Sequence, residues 1–363
     1  MVSKEKIKFP VKLKPEFMQE LRNRVTSYFD TNKISKFGNI NLVLKSIFMF
    51  LLYILPYFLM ITGVIDSFTG VLICWIVIGL GKAGVGMAIM HDSNHRTWSK
   101  NASVNKWLGK SLYLLGGFPP NWQYQHNTMH HGFTNIEGLD EDINPGEFLR
   151  ISPHKPILKI HKFQHIYAWL LYSLMTLSWV TTKDFKQLNR YRLEGVKLNT
   201  HKSYGELFAI LILSKILYYS AFLVIPILLL PFAWYWIVIF FLFMHFTSGL
   251  ILTTIFQTAH VVPASTYPLP DDKGSMENNW AIHQLITTAD FSPNNIILTW
   301  LIGGLNYQVE HHLFPNISHV HYPRIAKLVK ETAQKYGLPY HVQPGFIPAI
   351  REHAKMLKRL GRT

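Results

Sequence analysis

Three short stretches of the chain concentrate histidine at spacings that suit metal ligation. They are HDSNH (His91, His95), HNTMHH (His126, His130, His131) and QVEHH, where Gln308 precedes His311 and His312. Positions i and i+4 share a helical face, so His91 and His95 are expected to present two imidazoles together, and His126 and His130 to do the same. Neutral imidazole suits iron, zinc, copper and nickel. Seven donors exceed the four of a structural zinc site, which points to two metal ions. His260, at the end of an apolar stretch in FQTAH, is an eighth candidate. Asp92, Asn127 and Glu310 lie beside these donors, where a side-chain oxygen can accept the second ring N–H of a histidine and fix its tautomer. His245 would sit about 22 Å deeper along the same helix as His260 and is read as a packing or tunnel residue. The remaining histidines, with His283 the least settled, are read as ordinary structural or surface residues.

Other chemistries lack their residues. There is no G-x-S-x-G, C-x-x-C or Walker loop, and the single cysteine, Cys74, cannot hold an iron–sulfur cluster. No nucleotide-binding glycine fingerprint is present, so NAD(P)H is not expected to bind directly, and no bound haem or flavin is expected either.

The elements that must carry the histidines are set by the distribution of apolar residues and charge. The chain has 363 residues, 49% of them hydrophobic, with a formal net charge of +15. Such a composition excludes a disordered tail, a collagenous fibre and a disulfide-stapled module. No Asp, Glu, Lys or Arg occurs from Ile216 to Pro270, and a bilayer core needs roughly 20 apolar helical residues per span. Pro226 and Pro231 bracket a turn that cannot continue one regular helix, giving spans at about 205–229 and 233–257. An earlier hairpin surrounds Asp66. The expected organisation is an N-terminal cytosolic segment at 1–41, transmembrane hairpins at 42–90 and 205–257, a cytosolic segment at 91–204 with the first two histidine boxes, and a cytosolic segment at 258–363 with the third. The fold class is therefore all-α integral membrane, with four transmembrane helices and a cytosolic helical cap.

Cations crowd the segments assigned to the cytosol and are missing from the two hairpin turns, which places both termini inside. No cleavable signal is expected in MVSKEKIKFPVKLKPEF. Attraction to anionic headgroups and the positive-inside bias account for the charge, so no nucleic-acid partner is expected. The same basic surface suits an acidic electron-donor protein. Gly79, Gly81, Gly84 and Gly86 suit close helix packing. The stretches 106–122 and 157–180 are read as interfacial or re-entrant, because one further span would move the third box to the other side of the membrane.

The three boxes, together with GGLNYQVEHHLFP (303–315) and the two hairpins, resemble the integral-membrane fatty acid desaturase family over about residues 40–345. Glutamine at the start of the third box is similar to the front-end and linoleoyl-type subgroup, with delta-5 or delta-6 selectivity. The resemblance implies an O2-dependent oxidoreductase that introduces a cis double bond into a long-chain fatty acyl substrate. It further implies two iron ions held by the box histidines and His260, with Gln308 a weak ligand or water-holder. No HPGG haem motif of a fused cytochrome b5 domain is present, so two electrons are expected from a separate ferredoxin- or cytochrome b5-type donor. The acyl carrier stays open among CoA, acyl carrier protein and a glycerolipid. A bacterial inner membrane is preferred over the endoplasmic reticulum. A membrane diiron hydroxylase or ketolase is the rival within the same chemistry. A histidine-rich metal transporter is the rival outside it.

Overall fold

The computed structural model describes residues 7–10 and 14–363. In chain order the elements used below are helices α1 (Pro15–Asn32), α2 (Ile40–Ile61), α3 (Phe68–Asn94), α4 (Tyr204–Leu229), α5 (Trp234–His260) and α6 (Trp280–Thr287), strand β1 (Ala289–Phe291), helices α7 (Gln308–Leu313) and α8 (Tyr322–Lys335), strand β2 (His341–Gln343) and helix α9 (Phe346–Leu360). Among the described residues, four helices, α2 to α5, are long and apolar enough to cross a membrane. The chain is thus an all-α membrane protein, and among the described residues the strand structure is one parallel pair of three-residue strands, β1 and β2, and an isolated bridge between Lys8 and Ser275. The described chain divides into two compact units.

One unit comprises 40–124 and 169–254. Its α2–α3 hairpin turns where Ser67 caps α3, the hydroxyl accepting from Gly70 N at 3.2 Å. Close approach of backbones follows from small residues. A Cβ at Gly81 would lie 2.4 Å from Tyr53 N on α2, and one at Gly79 would lie 2.7 Å from the Met244 carbonyl on α5. The charges that interrupt the apolar runs are all engaged. Lys82 is fully buried and donates to Tyr218 OH (2.9 Å), beside His245, whose ring also meets Thr176 and Tyr218. Lys215 pairs with Asp184 at 2.6 Å and donates to two backbone carbonyls. A cation in an apolar interior must be paired or hydrogen-bonded in this way. His245 is therefore part of a polar knot joining helices.

The span expected at about 205–229 corresponds to α4, which ends at Leu229, although the turn read between Pro226 and Pro231 is shorter because the helix continues through Pro226. A π-helical stretch, Ser220–Val224, directly precedes it. That wider turn shifts the hydrogen-bond ladder and accommodates the missing proline N–H, so the chain turns only at 230–233, around Pro231.

The other unit comprises the described residues up to Asn39 with 125–168 and 255–363. Phe17, Leu21 and Val25 lie at i, i+4 and i+8 on α1 and are buried with Leu285, Val309, Leu313, Ile325 and Val329. Burying such side chains contributes about 1.5–3 kcal/mol each. Arg24 then reaches Glu331 and Thr332 on α8, and Lys335 pairs with Glu20. The register of β1 and β2 pairs Asp290 with Val342, which ties the approach to α7 to the C-terminal region. On α9, the buried His353 donates from Nδ1 to the Val261 carbonyl at 2.8 Å.

Candidate metal centre

In the unit built from 125–168 and 255–363, six histidines converge from three elements. His126, His130 and His131 come from the helical stretch 119–133, His260 from the last residue of α5, and His311 and His312 from α7. All six are buried. The stretch Tyr124–His130 is π-helical, where an α-helix was expected. The π turn is wider, with i→i+5 bonding, so His126 faces both later members of its box. Its ring stacks on His130 at 5.4 Å and meets His131 edge-on at 4.8 Å.

Two sets of three result. The ligand atoms of His130, His260 and His312 lie within 4.8 Å of one another. The rings of His126, His131 and His311 form the second set, with centroid separations of 4.8, 5.8 and 4.5 Å. The sets meet where His131 stacks on His312 at 4.5 Å.

The hydrogen bonds say which ring nitrogen faces inward. His130 Nδ1 lies 3.1 Å from Asp140 Oδ2, His312 Nδ1 lies 2.8 Å from Gln284 Oε1, and His260 Nδ1 is 3.4 Å from the Thr287 carbonyl. His311 Nδ1 is 3.1 Å from the Tyr322 hydroxyl. Acceptors at Nδ1 fix the tautomer and leave the Nε2 lone pair as the ligating atom. Consistent with that, the buried Nε2 atoms of His130 and His260 have no hydrogen-bond partner among the described residues. The Nε2 atoms of His126 and His131 stand 3.3 Å apart. Two lone pairs at that distance repel unless a cation or proton lies between them, and nitrogens about 2.1 Å from one metal at right angles are about 3 Å apart. These residues therefore fit a metal ion.

Electrostatics support the same arrangement. Burial works against the charged form of His130, but Asp140, followed by Asp142, outweighs it and holds His130 above its ordinary value. Behind α7, burial pushes the Glu310 carboxyl well above the carboxylate range, with Asp290 adding to it, and burial raises Asp290 to about 6. The Tyr340 hydroxyl lies 2.7 Å from Asp290 and 3.0 Å from Glu310, donating its one proton to the ionised carboxyl and able to accept from the protonated one. Two carboxyls so placed cannot both ionise and share a proton. Asp290 also accepts from Val309 N at 2.9 Å, which holds the first turn of α7.

The expected neighbours of the ligands are distributed unevenly. Glu310 faces Tyr340 and Asp290. Asp92 Oδ1 lies 3.8 Å from His91 Nδ1, and Asn127 is half-buried in the π stretch. Gln308 is buried, and neither side-chain polar atom has a partner among the described residues. Asp140, Asp142, Gln284 and Tyr322 were not singled out from the sequence. The acidic run Asp140–Asp142 was a usable signal for the first two; nothing in local spacing marks Gln284 or Tyr322. His154, His161, His283, His321 and His353 instead meet backbone carbonyls.

In the other unit, α3 continues to Asn94 and carries His91, and His95 caps its C-terminal end, with ring centroids 4.7 Å apart and both against Trp122. A π-helical stretch, Val85–Met90, directly precedes them.

A profile of the fatty acid desaturase family matches residues 66–344. Among similar proteins is the sn-1 linoleoyl-lipid 6-desaturase of Synechocystis sp., 33% identical over 365 residues and covering 100% of both chains. The protein of that name from Arthrospira platensis is 33% identical, over 95% of this chain and 92% of its own. The acyl-lipid (8-3)-desaturase of Physcomitrium patens is 33% identical, over 96% of this chain and 72% of its own.

Proposed function

The chain belongs to the fatty acid desaturase family, and we propose that it places a cis double bond in an acyl chain of a membrane lipid, between an existing double bond and the carboxyl end, at a centre of two iron ions. The observation that carries the reading is the convergence of two histidine triplets, with the Nδ1 atoms of His130, His260, His311 and His312 engaged and the Nε2 atoms of His130, His260 and His312 clustered. The lipid carrier and the front-end position rest on the names of the relatives and on Gln308.

An unactivated methylene offers no acidic proton, so acid–base catalysis alone cannot remove its hydrogens. Iron bound here supplies the O2-dependent oxidising power that the reaction requires. The chain's own residues do the rest. His130, His260 and His312 form one set of ligands and His126, His131 and His311 another; His91 and His95 complete the set of eight on the strength of their i, i+4 spacing. Asp140, Gln284, the Thr287 carbonyl and Tyr322 keep the Nδ1 protons in place, so ligand orientation is set before metal binds. Gln308 offers a buried amide for a water or a weak bond to metal. The Phe256 ring, 4.9 Å from that of His130 and 5.1 Å from that of His260, gives the site an apolar wall against which a methylene chain can lie. Electrons come from a separate ferredoxin- or cytochrome b5-type protein. Both termini and all three boxes face the cytosol, in a bacterial inner membrane.

His130→Ala and His312→Ala, each purified from membranes, test the assignment. Loss of iron and of unsaturated product with normal membrane insertion is expected. Full iron content and full activity in either variant contradict it.

A further inference from the structure

A cavity of about 720 Å³ opens beside α1, its apolar floor formed by Phe29, Trp280, Leu313 and Phe314 and its rim by Arg22 and Lys36. Two links join this floor to the box histidines. Leu313 directly follows His312, and the indole Nε1 of the half-buried Trp280 donates to the His131 carbonyl at 3.0 Å. The rim is cationic because nearby acids are already paired within the chain: Glu20 with Lys335 and Glu331 with Arg24. Among the described residues Arg22 and Lys36 form no ion pair, and Asp30 is the one acid in the lining. All the lining residues lie outside the four apolar spans.

The desaturase reading, on which the proposal for this groove rests, requires two electrons per turnover, and a chain with one cysteine has no thiolate set for an electron-carrying cluster. We infer that this groove is where a separate, acidic one-electron donor protein docks, with Trp280 bridging the donor to the histidine cluster. An apolar floor with a charged rim suits a transient encounter, in which complementary charge sets the association rate. Each docking oxidises the donor by one electron. Two such electrons, two protons, one O2 and two hydrogens from the acyl chain give one double bond and two waters.

The test uses the full iron-loaded chain in lipid nanodiscs, with pre-reduced ferredoxin or cytochrome b5 mixed anaerobically and donor oxidation followed by its own absorbance. Arg22→Glu with Lys36→Glu, both exposed and safe for folding, is expected to raise the half-saturating donor concentration at least tenfold and to flatten its salt dependence. Trp280→Leu is expected to lower the limiting rate at least tenfold with half-saturation unchanged. Wild-type donor kinetics in both variants overturn the proposal. So does an altered requirement for lipid substrate with unchanged donor kinetics, which makes the groove a headgroup site. If the wild-type chain oxidises neither donor and forms no unsaturated product after dithionite reduction, the desaturase reading itself fails, and the docking proposal with it.

Discussion

Asp140 shows how much of the candidate centre depends on residues that are not ligands. It lies ten positions after His130, beyond any helical spacing, yet its carboxylate lies within hydrogen-bonding distance of the His130 ring and accepts from Asn135 N. Removing such a partner typically costs 10–100-fold in metal affinity. Asp140→Asn is therefore expected to bind iron about 10–100-fold more weakly while remaining folded, as read by chelator competition; unchanged affinity contradicts the role. His353, which donates to the Val261 carbonyl next to His260, makes a separate prediction. Burial lowers it to about 4, against about 6.5 in the unfolded chain, so the unfolded chain takes up the proton first as pH falls. The stability due to neutral His353 is complete above about pH 6.5 and is lost between there and about pH 4. Asp290, raised to about 6, acts with the opposite sign in the same window, so the comparison must be with a variant. His353→Gln is expected to lower the melting temperature at pH 7.5 and to show a shallower decline than wild type down to pH 4.5. Parallel declines rule this out.

At the scale of elements, the four apolar helices were legible because a bilayer demands long uncharged runs, and the ligand boxes because imidazoles recur at one helical turn. What was not legible depends on tertiary context. The π-helical turn at Tyr124–His130 is set by packing and carries no local residue signal, although it is what turns His126 toward both His130 and His131. The same is true before Pro226, where a π turn lets α4 continue through a proline that was read as one edge of the turn. Strands β1 and β2 are three residues each, too short for alternation to register. Gln284 and Tyr322 reach the box histidines from 28 and 11 residues away in the chain. Glycine spacing on α3, by contrast, was readable as packing. Because a Cβ at Gly81 would stand 2.4 Å from the Tyr53 backbone, Gly81→Ala must separate α2 from α3. It is expected to cost about 1–3 kcal/mol by overpacking, measured as a drop in melting temperature in detergent. Gly86→Ala meets only side-chain carbons at 3.5 Å and is expected to be tolerated. Equal effects of the two contradict the close-approach account.

For the whole molecule, the excess of cations and the four apolar helices become one statement under the proposed topology, in which positive charge marks the cytosolic side. Native Cys74 is buried, so introduced cysteines can be labelled over a low background. Cysteines at the exposed positions Lys100 and Asn316 are expected to react from one side of the membrane, and those at Val64 and Trp234 from the other. Opposite sidedness for Lys100 and Asn316 would separate the first box from the third and end the shared-centre reading. The central claim is that the histidine centre desaturates lipid acyl chains, and it is tested most directly by expressing the chain, with a donor, in a host of simple lipid profile and locating new double bonds by mass spectrometry. The account predicts a new cis bond between an existing one and the carboxyl end, absent with His130→Ala. A hydroxy or keto product, or an unsaturated product that persists in His130→Ala, contradicts it.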